Sequence, residues 1–296
     1  MEYINLNNIT TDKLSTPLFE KRQLEVSILR LDKIHPLISG NKWFKLRFHI
    51  DEAKKKGKKK ILTFGGAWSN HILATAAACK LYNLFAIGII RGEKAAALSP
   101  TLIQAKELGM QLVFTSREEY KKKMIPNELN DEDCYIVSEG GFGTKGAEGA
   151  STILAHCKKN EYNHICCAVG TGTMMAGLII SAVTGTKVTG ISVLKNNTEL
   201  QDQVTTLLTA KMENYEIIHE YHFGGYAKHK PELLAFMNSF YRQTSVPTDF
   251  VYTGKLCFAV NDLAEKNFFP PESRILLIHS GGLQGNQSLN KGTLIF

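Results

Sequence analysis

From Ile61 onward the chain alternates short apolar runs with helical patterns, and few folds can use such an alternation. The apolar runs predict strands over Ile61–Phe64, Phe85–Ile90, Gln111–Phe114, Tyr135–Val137, His164–Val169, Val188–Leu194, Tyr215–His219 and Arg274–His279. Helical spacing falls between most of them, at Asn70–Cys79, Leu98–Leu108, Gly146–Lys158 and Thr173–Ala182. Strands that read as continuous apolar runs are those buried on both faces, so the pattern predicts an α/β protein with mainly parallel sheet covered by helices on both sides. No repeat, low-complexity tract or long Pro/Gly linker interrupts it, and any domain boundary must be a short crossover.

The segments that follow the strands carry the functional signal. Gly65-Gly66-Ala67-Trp68-Ser69-Asn70, Ser138-Glu139-Gly140-Gly141, Gly170-Thr171-Gly172-Thr173 and His279-Ser280-Gly281-Gly282 are turns of small and hydroxylated residues at carboxyl ends of strands, where open α/β sheets bind ligands. Gly170, Thr171, Gly172 and Thr173 lie between an apolar strand and a helix, so backbone N–H groups, hydroxyls and a helix N-terminus could together cup a phosphate. A tight strand-to-helix turn would use the same glycines, and both readings stand at this point. The dinucleotide fingerprint fails, because Met175 occupies its third glycine, and no P-loop sequence occurs.

Lys42 follows a flexible Gly40-Asn41 pair and opens a helical segment, a place where the ammonium form is disfavoured and an amine nucleophile is helped. Ser69-Asn70-His71 reads as a helix N-cap, a role compatible with ligand contact. There is no H-E-x-x-H, no G-x-S-x-G and no Cys/His metal spacing among the six scattered cysteines, which read as small buried hydrophobes in a reducing compartment. The formal charge of +7 raises a nucleic-acid partner, but much of the excess sits in Lys54–Lys60, a run without interleaved aromatics at the end of a helix beginning near Lys45. A solvated helix end accounts for it. The N-terminus has no secretory apolar core and no stretch approaches a membrane span, so the chain reads as cytoplasmic, without a membrane or nucleic-acid partner.

Thr16-Pro17-Leu18, Gly40-Asn41-Lys42, Gly65-Gly66 with Ser69-Asn70, Gly170-Thr171-Gly172-Thr173, Tyr252-Thr253-Gly254-Lys255 and His279-Ser280-Gly281-Gly282 occur together in this order. The set resembles the D-cysteine desulfhydrase and 1-aminocyclopropane-1-carboxylate deaminase family of fold type II pyridoxal-phosphate enzymes, over nearly the whole chain. The resemblance implies pyridoxal 5'-phosphate bound as a Schiff base on Lys42, with that lysine also moving the Cα proton. It implies that Asn70 meets the cofactor's 3′-oxygen, that Ser69 lies beside the substrate carboxylate, and that Gly170–Thr173 hold the phosphate. Tyr252 and Tyr226 are similar to the family's two active-site tyrosines. Thr253 stands where the family faces the pyridine nitrogen, with glutamate in ring-opening deaminases and threonine in desulfhydrases.

A neutral hydroxyl there implies β-elimination, with D-cysteine giving pyruvate, ammonia and hydrogen sulfide. Alternatives are a 1-aminocyclopropane-1-carboxylate deaminase or serine dehydratase on the same scaffold, or, in another class, a non-catalytic phosphate-ligand or nucleic-acid-binding protein. The resemblance also implies two open twisted sheets, a homodimer, and a smaller unit of residues 44–150 inserted into a larger one of residues 1–43 plus 151–296. Two departures bear on substrate choice: Leu81 to Glu132 aligns poorly, and Tyr226 is followed by Ala227-Lys228-His229.

Overall fold

The computed structural model describes residues 4–129 and 131–296. Its strands are β1 (Thr11–Leu14), β2 (Glu25–Arg30), β3 (Lys60–Gly65), β4 (Phe85–Arg91), β5 (Gln111–Thr115), β6 (Cys134–Val137), β7 (His164–Val169), β8 (Lys187–Ser192), β9 (Tyr215–Ile218) and β10 (Arg274–His279). The α-helices are α1 (Pro17–Lys21), α2 (Asn41–Lys55), α3 (Asn70–Leu81), α4 (Pro100–Glu107), α5 (Arg117–Lys121), α6 (Thr144–Ser151), α7 (Thr173–Ser181), α8 (Leu200–Thr206), α9 (Pro231–Thr244) and α10 (Thr253–Glu265).

The strands form two sheets. A six-stranded sheet has the order β1-β2-β10-β7-β8-β9, parallel except for the β1–β2 pair, and a four-stranded sheet, β5-β4-β3-β6, is parallel throughout. This is the α/β arrangement expected from the sequence. The central strands β3, β7, β8 and β10 are buried at every residue after the first. The strands at the sheet edges, β1, β5, β6 and β9, are only partly buried. Burial on both faces explains why the central strands read as unbroken apolar runs. One core cluster passes from Leu29 and Ile278 in the larger sheet to Ile61 and Ile90 in the smaller.

The structure corrects several sequence expectations. Strands β1 and β2 precede the first predicted one; β1, Thr-Asp-Lys-Leu, is an exposed edge with too few apolar residues to signal itself. Helix α2 starts at Asn41, not near Lys45, so Lys42 lies in its first turn. Helix α6 stops at Ser151 and is continued by a separate 3-10 turn, Ile153–His156, where Gly149 and β-branched Thr152 weaken the helix.

Half of the six lysines in the run are paired with carboxylates. Lys56 pairs with Glu52 at 2.8 Å, Lys59 with Asp133 at 3.7 Å and Lys60 with Asp131, while Lys54 lies 4.2 Å from the Tyr82 ring centroid. Four cysteines are buried, Cys134 and Cys157 are half-buried, and all six are free. Among the described residues no helix is long and apolar enough to cross a membrane.

Candidate active site

The carboxyl-end turns of both sheets open into one cavity of about 550 Å³. Gly66, Ser69 and Asn70 reach it from the end of β3, Glu139 and Gly140 from β6, Gly170 to Thr173 from β7, and Ser280 and Gly281 from β10.

Lys42 arrives by a backbone contact. Gly40 has φ +66° and lies so close to Ser280 that a β-carbon would overlap the Ser280 carbonyl, and Asn41 N donates to that carbonyl at 3.2 Å. Only glycine permits both the left-handed conformation and the approach. Helix α2 therefore begins against the end of β10, with the Lys42 side chain in the cavity. Its Nζ donates to Asn41 Oδ1 at 2.9 Å and lies 5.8 Å from the Tyr252 ring centroid. Burial lowers its pKa to about 8, opposed by the negative charge of Asp249.

At the cup, Gly172 is left-handed (φ +76°) and N-caps α7, and the Thr171 and Thr173 hydroxyls stand 3.1 Å apart. The free N–H groups at the start of α7 thus open onto the cavity beside two hydroxyls. At the other turn, Ser69 Oγ accepts from Ile72 N at 3.4 Å to cap α3, which is the predicted N-cap. Among the described residues the buried Asn70 amide oxygen has no partner. Tyr226, 41% exposed, sits at the mouth, its ring centroid 6.1 Å from that of Tyr252. Burial raises the pKa of both phenols.

Of the predicted site residues, Lys42, Ser69, Asn70, Gly170, Thr171, Gly172, Thr173, Tyr226 and Tyr252 line the cavity, and Thr253 does not. Thr253 is fully buried behind the wall, where its Oγ1 donates to Asp249 Oδ1 at 2.7 Å and accepts from Asp249 N at 2.8 Å.

Sequence reasoning missed three groups. The buried Asp249 carboxylate accepts from Val251 N, Tyr252 N and Thr253 N at 2.8 to 2.9 Å, which orders the start of α10 and fixes Tyr252. Lys45, one turn beyond Lys42, is 4% exposed and donates to Gly140 O at 3.2 Å; it has no carboxylate partner among the described residues. Burial, and then the charge of Lys42, depress its pKa well below the usual lysine range. His71 Nε2 lies 2.8 Å from Thr63 Oγ1, whose own proton goes to Val137 O at 2.8 Å. His71 must therefore donate through Nε2–H, which leaves Nδ1 a bare lone pair, buried and without a partner among the described residues. Burial and the two lysines keep this imidazole neutral. The available signal was spacing: Lys45 repeats Lys42 at helical i, i+3, and His71 follows the Ser-Asn pair directly.

These residues fit pyridoxal phosphate. Among the described residues, a buried lysine without a counter-ion in one cavity with a helix N-terminus and two hydroxyls suits a phosphate dianion, the Lys42 amine with its lowered pKa suits an aldehyde, and the unpartnered Asn70 amide oxygen suits a ring substituent.

Comparison with known proteins agrees. The family described as pyridoxal-phosphate dependent enzyme matches residues 9–281. A Thermotoga maritima protein whose name proposes 1-aminocyclopropane-1-carboxylate deaminase activity is 31% identical, covering 90% of this chain and 92% of its own length. A mitochondrial Arabidopsis thaliana protein named bifunctional D-cysteine desulfhydrase/1-aminocyclopropane-1-carboxylate deaminase is 29% identical, covering 88% of this chain and 73% of its own. The crystal structure of an ACC deaminase homologue superposes with a TM-score of 0.82 at 25% identity, over 94% of this chain and 90% of that one. This chain therefore belongs to the pyridoxal-phosphate dependent enzyme family, on the branch of the 1-aminocyclopropane-1-carboxylate deaminase and D-cysteine desulfhydrase homologues.

Proposed function

We propose that this enzyme catalyses β-elimination on a small amino acid, and that D-cysteine, converted to pyruvate, ammonia and hydrogen sulfide, is the substrate it suits best. The observation that carries this reading is Lys42: an amine whose pKa burial lowers to about 8, facing Tyr252, in a cavity shared with a phosphate cup. Pyridoxal phosphate, when bound, supplies the electron sink that acidifies the substrate Cα–H. Lys45 and the Gly170–Thr173 turn hold its phosphate, and Asn70 meets its ring. The capped N-terminus of α3 and Ser69 take the substrate carboxylate. Lys42, freed by the substrate, accepts the Cα proton, with Tyr252 and Tyr226 beside it to guide protons toward the leaving group. Elimination asks less of the electron sink than ring opening does, since expulsion of the β-substituent relieves charge as the proton leaves.

The organisation is read with it: the β3–β6 sheet and its helices form the inserted unit of residues 44–150, and the enzyme works as a homodimer. Six free cysteines suit a reducing compartment such as the cytoplasm.

The test is a visible spectrum of wild type and Lys42→Ala, followed by D-cysteine, L-cysteine, D-serine and 1-aminocyclopropane-1-carboxylate. The expected result is a lysine-bound cofactor band lost in the variant, with pyruvate and sulfide released from D-cysteine. Ammonia from the cyclopropane substrate instead would overturn the elimination reading while leaving Lys42 in place.

A further inference from the structure

Arg91 is the cation in the cavity that the proposed chemistry leaves unused. It is the last residue of β4, held on the sheet by pairing with Thr115, so its position does not depend on a loop. It lines the cavity, and among the described residues it has no hydrogen-bond or ion-pair partner; its guanidinium carbon lies 5.8 Å from the Tyr120 ring centroid. Glu139, the acid in the same wall, is taken by Lys123 at 2.5 Å. The other two cavity cations already have work: Lys42 carries the cofactor and Lys45 faces the cup.

A second observation places Arg91 at a junction. A surface groove continues outward from the cavity and shares Gly66 and Arg91 with it; Ala67, Trp68, Gly92, Glu93, Ser116 and Arg117 line the rest. The guanidinium lies against the Gly66 backbone: a β-carbon there would stand 3.5 Å from Arg91 Nη2, in ordinary contact. Two arginines against Glu93 leave the groove positive, and Trp68, 37% exposed, offers it an apolar face.

From Lys42 the wall runs to Tyr252 at 5.8 Å and from there to Tyr226 at 6.1 Å; Arg91 and Glu139 both act on the Tyr226 hydroxyl. A substrate with its Cα at Lys42 and its β-substituent running along this wall would bring the far end of that substituent to Arg91.

We propose that Arg91 is a specificity-determining residue that binds a second anionic group at the end of an extended β-substituent, so that among β-substituted alanines with an extended leaving group the enzyme prefers those carrying a carboxylate or similar anion over their neutral counterparts. The proposal deepens the β-elimination reading and rests on it for the reaction. For a thioether substrate the Cα–H electrons form the Cα=Cβ bond, the proton passes to Lys42, and the Cβ–S bond breaks with its pair on sulfur. The departing thiolate then takes up a proton, and water converts the remaining enamine to pyruvate and ammonia. A charged hydrogen bond to a bidentate guanidinium discriminates against a neutral isostere by about tenfold or more.

The experiment compares S-carboxyethylcysteine with its carboxamide counterpart, both enantiomers, on holoenzyme of wild type, Arg91→Lys and Arg91→Gln. The readout is the ratio of kcat/KM for carboxylate over carboxamide. The ratio should be about ten or more in wild type, intermediate in Arg91→Lys and near one in Arg91→Gln. A wild-type ratio near one overturns the proposal, and so does a fall of both substrates together in Arg91→Gln, which would put the α-carboxylate on Arg91. If neither these compounds nor D-cysteine is turned over, the elimination reading fails by itself. The subsite is then read by titrating both compounds against the cofactor's visible band: carboxylate preference lost in Arg91→Gln upholds it, and equal binding overturns it.

Discussion

At the scale of single residues, the site depends on how much each buried group resists its charge. Lys42 has a pKa of about 8 in the fold against 10.5 when free, so between those values the unfolded chain binds more protons and stability contributed by this residue rises with pH. Below about 8 the ammonium is present in both states and its burial cost is fully expressed. Lys42→Met should therefore be more stable than wild type as apoprotein, by a margin that is largest near neutral pH and shrinks as pH climbs toward 10.5. Denaturant midpoints across that range check it, with the raised tyrosine and cysteine groups cancelling between the two proteins. A constant margin would show that the amine is not desolvated. By the same sign, cofactor attachment to the apoprotein should accelerate with pH and level off above about 8. The residues legible in the sequence were those in short fixed strings: Gly40-Asn41-Lys42, Ser69-Asn70 and Gly170–Thr173. Lys45, His71, Asp249 and Arg91 were not, because what marks each is a partner it has or lacks in space, and no local pattern encodes that.

At the scale of elements, the cup is held by how closely its helix is seated. Helix α7 packs on α6 through Gly177, where a β-carbon would stand 2.6 Å from both Ala150 Cβ and Ser151 N and 2.7 Å from Ala147 O. Helix α6 in turn packs on α2 through Gly149, whose β-carbon would overlap the Phe44 carbonyl. The helices that carry Lys42 and the phosphate turn are thus joined backbone to backbone through α6, with two glycines as the points of contact. Gly177→Ala should destabilise the fold by about 1–3 kcal/mol through overpacking and, because α7 must shift, weaken cofactor affinity as well. Calorimetry and a cofactor titration check this; a loss of stability with unchanged affinity would mean that α7 yields without moving the cup. The sequence showed these helices but not their contacts. It also missed β1, because an edge strand of four residues, half exposed and paired antiparallel, lacks the burial that writes a strand into composition.

At the scale of the whole molecule, the cavity takes its walls from the carboxyl ends of both sheets, so the bound cofactor is a crosslink between them. Asn70 and Ser69 come from the four-stranded sheet, and Gly170–Thr173 and Ser280 from the six-stranded one. A ligand that binds only when both walls are in place stabilises the whole fold by mass action, about 2.7 kcal/mol at a free concentration 100 times its Kd. Thermal unfolding of apoprotein with increasing pyridoxal phosphate should therefore show one transition moving upward for both sheets together. Lys42→Ala should retain part of the shift through the cup and Lys45, whereas Lys45→Met should lose affinity even though Lys42 still attaches the aldehyde, because the phosphate dianion then has no buried cation. The two variants separate covalent from electrostatic holding. If Lys45→Met binds the cofactor as wild type does, the helix N-terminus and the threonine hydroxyls alone neutralise the phosphate. Hydrogen exchange locates the effect: protection gained on cofactor binding should appear at the ends of β3 and β7 alike, and protection confined to β7 would mean that the cofactor binds the larger sheet without drawing in the smaller.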